Sequence, residues 1–326
     1  MINWKAVAVL VLAVGFQVAF AQELPRSSES ALEWLKKMTR APSSHNYVGT
    51  FVYYADNHVE ASRITHKVDQ SGEHEKIEVL DGTQRIVFRD NDEMRCFLPE
   101  SKKIYTEKRW FRKFFPNLIP QSIESIDENY YVQELKQERV TDRLSQVLLL
   151  SPRDTLRYAH QFWIDTDTGL LLRVTVLNGK EIVEQFAFVQ LDAGISIDPD
   201  LLKPERTFTT DDWKVTHLVT SVPKQSELKW RIATLPPGFK KITEMKRNLA
   251  EKSTLVDHIA LTDSLATVSI FIEPISDEKP TPTPGFFSSR GAINIYVRLL
   301  EGNKITTVGE VPLETTKLIG DAVAKY

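Results

Sequence analysis

Tyr47-Val48-Gly49-Thr50-Phe51-Val52-Tyr53-Tyr54 decides how the rest of this chain reads. Aromatic and β-branched residues crowd it, and its apolar positions repeat every second residue, the period of a strand with one buried face. The stretch before it has a different period. Ala31, Leu32, Trp34, Leu35 and Met38 recur at helical spacing, Ser28 or Ser30 can cap the start, and Pro42 stands just past the end. An amphipathic helix over Ser28 to Arg40 therefore precedes the strand and must lay its apolar face on a sheet.

Downstream, Asp56-Asn57, Ser71-Gly72, Asp81-Gly82 and Asp90-Asn91 punctuate strand-like runs at intervals of about 8–12 residues. The runs continue to Leu191 and predict an antiparallel meander of roughly a dozen strands. Sheets of that size curl or close. The spacing thus predicts an N-terminal unclosed antiparallel β-barrel with the helix enclosed on its concave side and an apolar cavity between them.

Composition shifts near residue 200, where Asp198-Pro199-Asp200 and Lys203-Pro204-Glu205 read as linker, with a short strand over Trp213 to Val222 within it. Strand-like runs return from Trp230 and end in a helix over Pro312 to Lys325. The predicted fold class is α+β. Residues 22–200 form the half-barrel domain, 201–227 a linker and 228–326 a smaller C-terminal α+β domain. Glu278 to Phe287 is Pro-rich and predicted to be an exposed loop.

One connection in the first domain is oddly apolar. Lys108-Arg109-Trp110-Phe111-Arg112-Lys113-Phe114-Phe115-Pro116-Asn117-Leu118-Ile119-Pro120 carries four aromatics, two aliphatics and four cations between two sheet segments. Contiguous apolar surface of this kind marks a docked lid or a binding site. It has two readings: its aromatics cap the β-core, or it is a flap over the cavity. As a flap, its cations Lys108, Arg109, Arg112 and Lys113 are placed for phosphate or carboxylate groups.

The N-terminus is predicted to be a secretory signal peptide over residues 1–21. Lys5 supplies the charged start, Ala6 to Val18 is nearly all apolar, and Ala19-Phe20-Ala21 fits the small-x-small rule for cleavage after Ala21. The apolar run is shorter than the ~20 residues a spanning helix needs, and no other run is long enough, so no membrane span is expected in the mature chain. The single cysteine, Cys96, excludes an internal disulfide and reads as a small strand hydrophobe. A formal net charge of −3 gives no basic field for nucleic acid.

Signatures of catalysis are missing from the sequence. It holds no Gly-x-Ser-x-Gly elbow, P-loop or dinucleotide glycine pattern, and its seven histidines lack metal-ligand spacing. Asp165-Thr166-Asp167-Thr168-Gly169 begins like a calcium loop, but its Gly comes early and Val176 stands where the twelfth-position acid belongs, so a hairpin turn is predicted. Arg153 or Arg157 is expected to pair structurally with Asp154. No catalytic residue, metal or cofactor is predicted, and the protein is read as a non-enzyme.

Several spaced motifs carry a resemblance to a known family. They include Asn46-Tyr47-x-Gly49-x-Phe51-Val52-Tyr53, Leu80-Asp81-Gly82, Cys96-x-x-Pro99, Phe115-Pro116 and Pro152-Arg153-Asp154-x-x-Arg157-Tyr158. Leu235-Pro236-Pro237-Gly238-Phe239, Val268 to Pro274, Arg290-Gly291-Ala292 and Val308-Gly309-Glu310-Val311-Pro312 continue the match. In order and spacing the chain resembles the RseB/MucB family of periplasmic regulators of the sigma-E type envelope-stress sigma factor. Ala159-His160 and Ser264 depart from the family's usual glycines at turns.

The resemblance implies a LolA/LppX-like half-barrel and a periplasmic location. It also implies a partner, the periplasmic segment of an RseA/MucA-type anti-sigma factor, shielded from site-1 proteolysis until lipopolysaccharide or another lipid releases the regulator. On that footing Trp110, Phe111, Phe114, Phe115, Leu118 and Ile119 are expected to meet acyl chains, and Lys108, Arg109, Arg112 and Lys113 phosphates. Phe286, Phe287 and Arg290 are the expected partner contacts. A LolA-like lipid or lipoprotein carrier is the alternative function, and homo-oligomerisation stays open.

Overall fold

A computed structural model of the chain describes residues 27–108, 115–116, 118, 123–204, 212–249, 255–275, 283–288 and 290–326. The predicted signal peptide, most of the Lys108–Pro120 connection and Thr281-Pro282 lie outside the described residues.

The helix α1 spans Glu29–Arg40, and the Ser28 hydroxyl accepts from Ala31 N at 3.1 Å to cap its first turn. Ala31, Leu35 and Met38 are buried, as the helical spacing predicts. They join Tyr47, Phe51, Ile64 and Phe188 in one hydrophobic core, so α1 lies on the same face of the sheet as the odd-numbered residues of Tyr47–Ala55. The Ser28 backbone N–H also donates to Val132 O, tying the start of the helix to the far end of the sheet.

Thirteen strands form the large sheet among the described residues. From Tyr47–Ala55 one arm runs through His58–Asp69, Gly72–Val79, Ile86–Asp90, Glu93–Leu98 and Lys103–Lys108. The other runs through Glu181–Ala193, Leu171–Asn178, Ala159–Asp165, Arg143–Pro152 and Tyr130–Glu134, with Glu138–Val140 also paired to Arg143–Pro152. The first strand thus pairs with the last of the meander, Tyr53 opposite Phe186, and among the described residues the two outer arms do not pair with each other. An unclosed antiparallel sheet with an enclosed helix is the architecture the strand count predicts.

Between the two units, the short strand read at Trp213 to Val222 is present as two pieces. Lys214–Leu218 is a strand that joins the outer edge of the large sheet in parallel with Lys103–Lys108. Trp213 packs its ring on Phe97 at 6.1 Å, which anchors the strand. Two residues later Thr220–Ser221 pairs with Lys240–Asn248 of the second unit.

Among the described residues the second unit is a seven-stranded antiparallel sheet with the helix α2, Leu313–Asp321, packed on it through Ile319. Two readings change here. The final helix stops at Asp321 because Val323–Lys325 extends and pairs with Trp230–Ile232. Part of the expected Pro-rich loop, Gly285–Ser288, is an edge strand paired with Asn294–Leu300.

Candidate functional site

Strand alternation builds the site. Phe51 lies opposite Ser62 and Ser62 opposite Val79, while Val87 lies opposite both Ile77 and Cys96. These side chains face one way, and with Val174, Val176 and Phe186 they line a cavity of about 670 Å³. That volume is in the range of about 300–1,000 Å³ typical of small-molecule sites. Gly49 lies two residues before Phe51 on the same face of the strand. A Cβ there would meet the Phe188 ring at 2.6 Å, so glycine lets that ring lie close to the strand.

Phe115 and Leu118 belong to the lining. The Phe115 ring stacks on Phe186 at 5.6 Å and sits 5.2 Å from Phe51 and 5.0 Å from Phe188. At 4% exposure it is core as well as cavity wall, so the two readings of the connection meet in this one side chain. Lys108 stands apart from the lining: it is 66% exposed and pairs with Asp92 at 3.1 Å. Arg109, Trp110, Phe111, Arg112, Lys113, Phe114 and Ile119 lie outside the described residues.

The small-sheet unit supplies the remaining wall through Leu265, Arg290, Ile293 and Glu310. Arg290 therefore borders the cavity. Phe286 and Phe287, by contrast, are exposed at 44% and 45% on the outer edge strand, with Phe286 beside Tyr296. Neither phenylalanine is part of the cavity lining.

Sequence reading missed five charged groups of the cavity, Glu60, Arg85, Arg89, Glu184 and Glu310. Arg85 pairs with Glu60 at 3.3 Å and Arg89 with Glu75 at 2.6 Å. Burial opposes ionisation of Glu75, but hydrogen bonds from His66 and the Arg89 charge win and hold its carboxyl down at about 2. Glu184 goes the other way: burial pushes its carboxyl from the ordinary 4.5 up to about 7. The alternation that places Phe186 inside also places Glu184 inside, and that was the available signal.

A buried polar junction holds the two units together. Arg157 bonds the Pro237 carbonyl at 2.7 Å and pairs with Asp154 at 3.1 Å, the pairing expected from sequence. It also pairs with Asp263 of the second unit. Asp165 receives Arg143 at 2.8 Å and the backbone N–H of Thr168, closing the hairpin turn that imitates a calcium loop. Among the described residues no cluster of metal-ligating side chains occurs and no helix is long and apolar enough to cross a membrane.

Comparison with known proteins places this arrangement. The MucB/RseB N-terminal domain family matches residues 30–206, and the MucB/RseB C-terminal domain family matches residues 224–324. The sigma factor AlgU regulatory protein MucB of Pseudomonas aeruginosa is 27% identical over 296 residues, covering 89% of each chain. The sigma-E factor regulatory protein RseB of Haemophilus influenzae is 26% identical over 305 residues, 93% of this chain and 92% of that one. A crystal structure of MucB in complex with MucA(peri) superimposes with a TM-score of 0.69 at 25% identity, covering 90% of this chain and 98% of that one.

Proposed function

This chain belongs to the MucB/RseB family, and on that premise we propose that it is a periplasmic regulator that binds the periplasmic segment of an RseA/MucA-type anti-sigma factor. Held in the complex, the segment is shielded from site-1 proteolysis and the sigma factor stays restrained. Lipopolysaccharide or another lipid entering the cavity lowers the affinity and releases the segment.

The observation that supports this reading is the composition of the cavity wall. Phe51 and Phe186 come from the large sheet, Phe115 and Leu118 from the connection after Lys103–Lys108, and Leu265 and Ile293 from the second unit. A ligand there touches both units at once, so its occupancy can alter a surface that both units build. A coupling of ~1–3 kcal/mol between two such sites is typical. In this proposal the connection's apolar residues meet acyl chains, and Arg109, Arg112 and Lys113 meet phosphates. Phe286, Phe287 and Arg290 contact the anti-sigma segment.

The test is a binding titration of the mature protein with that segment, with and without lipopolysaccharide. Binding that lipopolysaccharide weakens supports the proposal. Tight binding indifferent to lipid removes the release step.

A further inference from the structure

Two carboxylates of the large-sheet unit grip two consecutive backbone N–H groups of the small-sheet unit. Asp56 Oδ2 accepts from Gly291 N at 3.0 Å, and Glu184 Oε2 accepts from Ala292 N at 3.1 Å. Glu184 Oε2 also accepts from the Tyr53 hydroxyl at 3.1 Å. Gly291 has a φ of +71°, and a Cβ on it would stand 2.3 Å from Glu184 Oε2 and 2.5 Å from the Tyr53 hydroxyl. Only glycine permits both the backbone conformation and the approach. Ala292 is fully buried against Tyr158 and Val176, while Glu184, Arg290 and Glu310 line the cavity beside it.

We propose that Glu184 is a proton-operated latch between the two units: proton uptake holds the small-sheet unit closed over the cavity, and proton loss loosens it about the Arg157–Asp263 pair.

The groups around Glu184 set the sign. Tyr53 and Asp56 face it from the first strand and its turn, Tyr158 and His160 from the arm beyond, and Arg290 and Glu310 from the small-sheet unit. Burial, then the charge of Glu310 and that of Asp56, disfavour the carboxylate more than the Ala292 N–H and the Tyr53 hydroxyl favour it. In the closed junction the group titrates at about 7. Lifting the unit lets in water and returns it to the ordinary carboxylate range. The closed form therefore binds the proton more tightly, and closure is strongest below the ordinary range and weakens as pH rises through about 7. The opening equilibrium should rise by one to two orders of magnitude, on the order of 10–100-fold, between pH 5 and pH 8.

This latch depends on contacts between two halves of one chain, so it stands or falls independently of the ligand and the anti-sigma segment. The test is amide hydrogen exchange on the mature protein alone, corrected for the intrinsic pH dependence of exchange. The Ala292 amide should lose about 10–100-fold of its protection between pH 5 and pH 8, while Ile270 in the small-sheet core keeps its own. Glu184→Gln, neutral at every pH, should remove the pH dependence at Ala292. Protection that does not change with pH overturns the latch, as does a loss at Ile270 in parallel or an unchanged response in the Gln variant. If that variant does not fold, a carboxyl-carbon NMR titration of the unaltered chain decides. A Glu184 midpoint near 7 supports the latch, and one in the ordinary carboxylate range overturns it.

Discussion

Arg157 of the large-sheet unit and Asp263 of the small-sheet unit form an ion pair, Nη1 to Oδ2 at 3.3 Å, in which both side chains are fully buried. The Tyr130 hydroxyl donates to the same carboxylate oxygen at 2.9 Å, and Asn129 bonds the Asp263 carbonyl. The Arg157 guanidinium lies 5.0 Å over the Phe239 ring. The two units therefore share a desolvated polar core as well as a common cavity.

Asp263→Asn keeps an acceptor for the N–H groups of Leu265 and Ala266 but removes the charge facing Arg157. Losing one partner of a buried pair costs ~3–5 kcal/mol. Urea unfolding should show a drop of that size, and the loss should appear in both units because the pair belongs to both. A change below about 1 kcal/mol would mean that Asp154 and the Pro237 carbonyl suffice for Arg157.

Phe115→Ala removes a ring held among Phe51, Phe186 and Phe188. Core Phe→Ala changes cost about 3–5 kcal/mol, so a large fall in thermal midpoint is expected. Leu118→Ser is the gentler probe of the ligand reading, because Leu118 lines the cavity and is only half-buried. It should weaken lipid binding by about tenfold with a small stability change, the loss of roughly one apolar contact set. If lipid affinity does not respond, acyl chains do not touch this segment.

Glu75 makes a prediction about acid. Its folded carboxyl titrates at about 2, below the ordinary 4.5. Its contribution to stability is therefore present above the ordinary value and is lost as pH falls through about 2. Thermal midpoints measured from pH 6 down to pH 2 should fall less steeply in Glu75→Gln than in the unaltered chain. At pH 6 the variant should already be less stable, since His66 at 2.9 Å and Arg89 at 2.6 Å then face a neutral amide. Parallel curves would contradict this assignment.

Gly49→Val should cost ~1–3 kcal/mol by overpacking, because the added Cβ meets the Phe188 ring and, at 2.9 Å, the Gln190 carbonyl. Thermal unfolding measures it, and a neutral result would mean that Phe188 can turn away at no cost.

Local patterns made much of this legible. Period two across Tyr47–Tyr54 and the helical spacing of Ala31, Leu35 and Met38 come from neighbouring residues, and both survive unchanged. The half-barrel followed from counting strands. Long-range pairing was less readable. Nothing near Phe186 announces that it lies opposite Tyr53, or near Lys214 that a linker strand will run parallel to Lys103–Lys108. Arg157 could be matched to Asp154 three residues away, whereas Asp263 becomes its partner only when the two units dock. Alternation with Phe186 points Glu184 inward, but its contact with the backbone of Ala292 forms only when the other unit docks.

The central claim is that a ligand in the shared cavity and the anti-sigma segment compete through this chain. Isothermal titration of the mature protein with the periplasmic segment of an RseA/MucA-type anti-sigma factor, repeated with lipopolysaccharide present, tests it most directly. The account predicts binding in the micromolar range or tighter, weakened about 5–150-fold by the lipid. No binding at micromolar concentration, or an affinity that the lipid leaves unchanged, would contradict it.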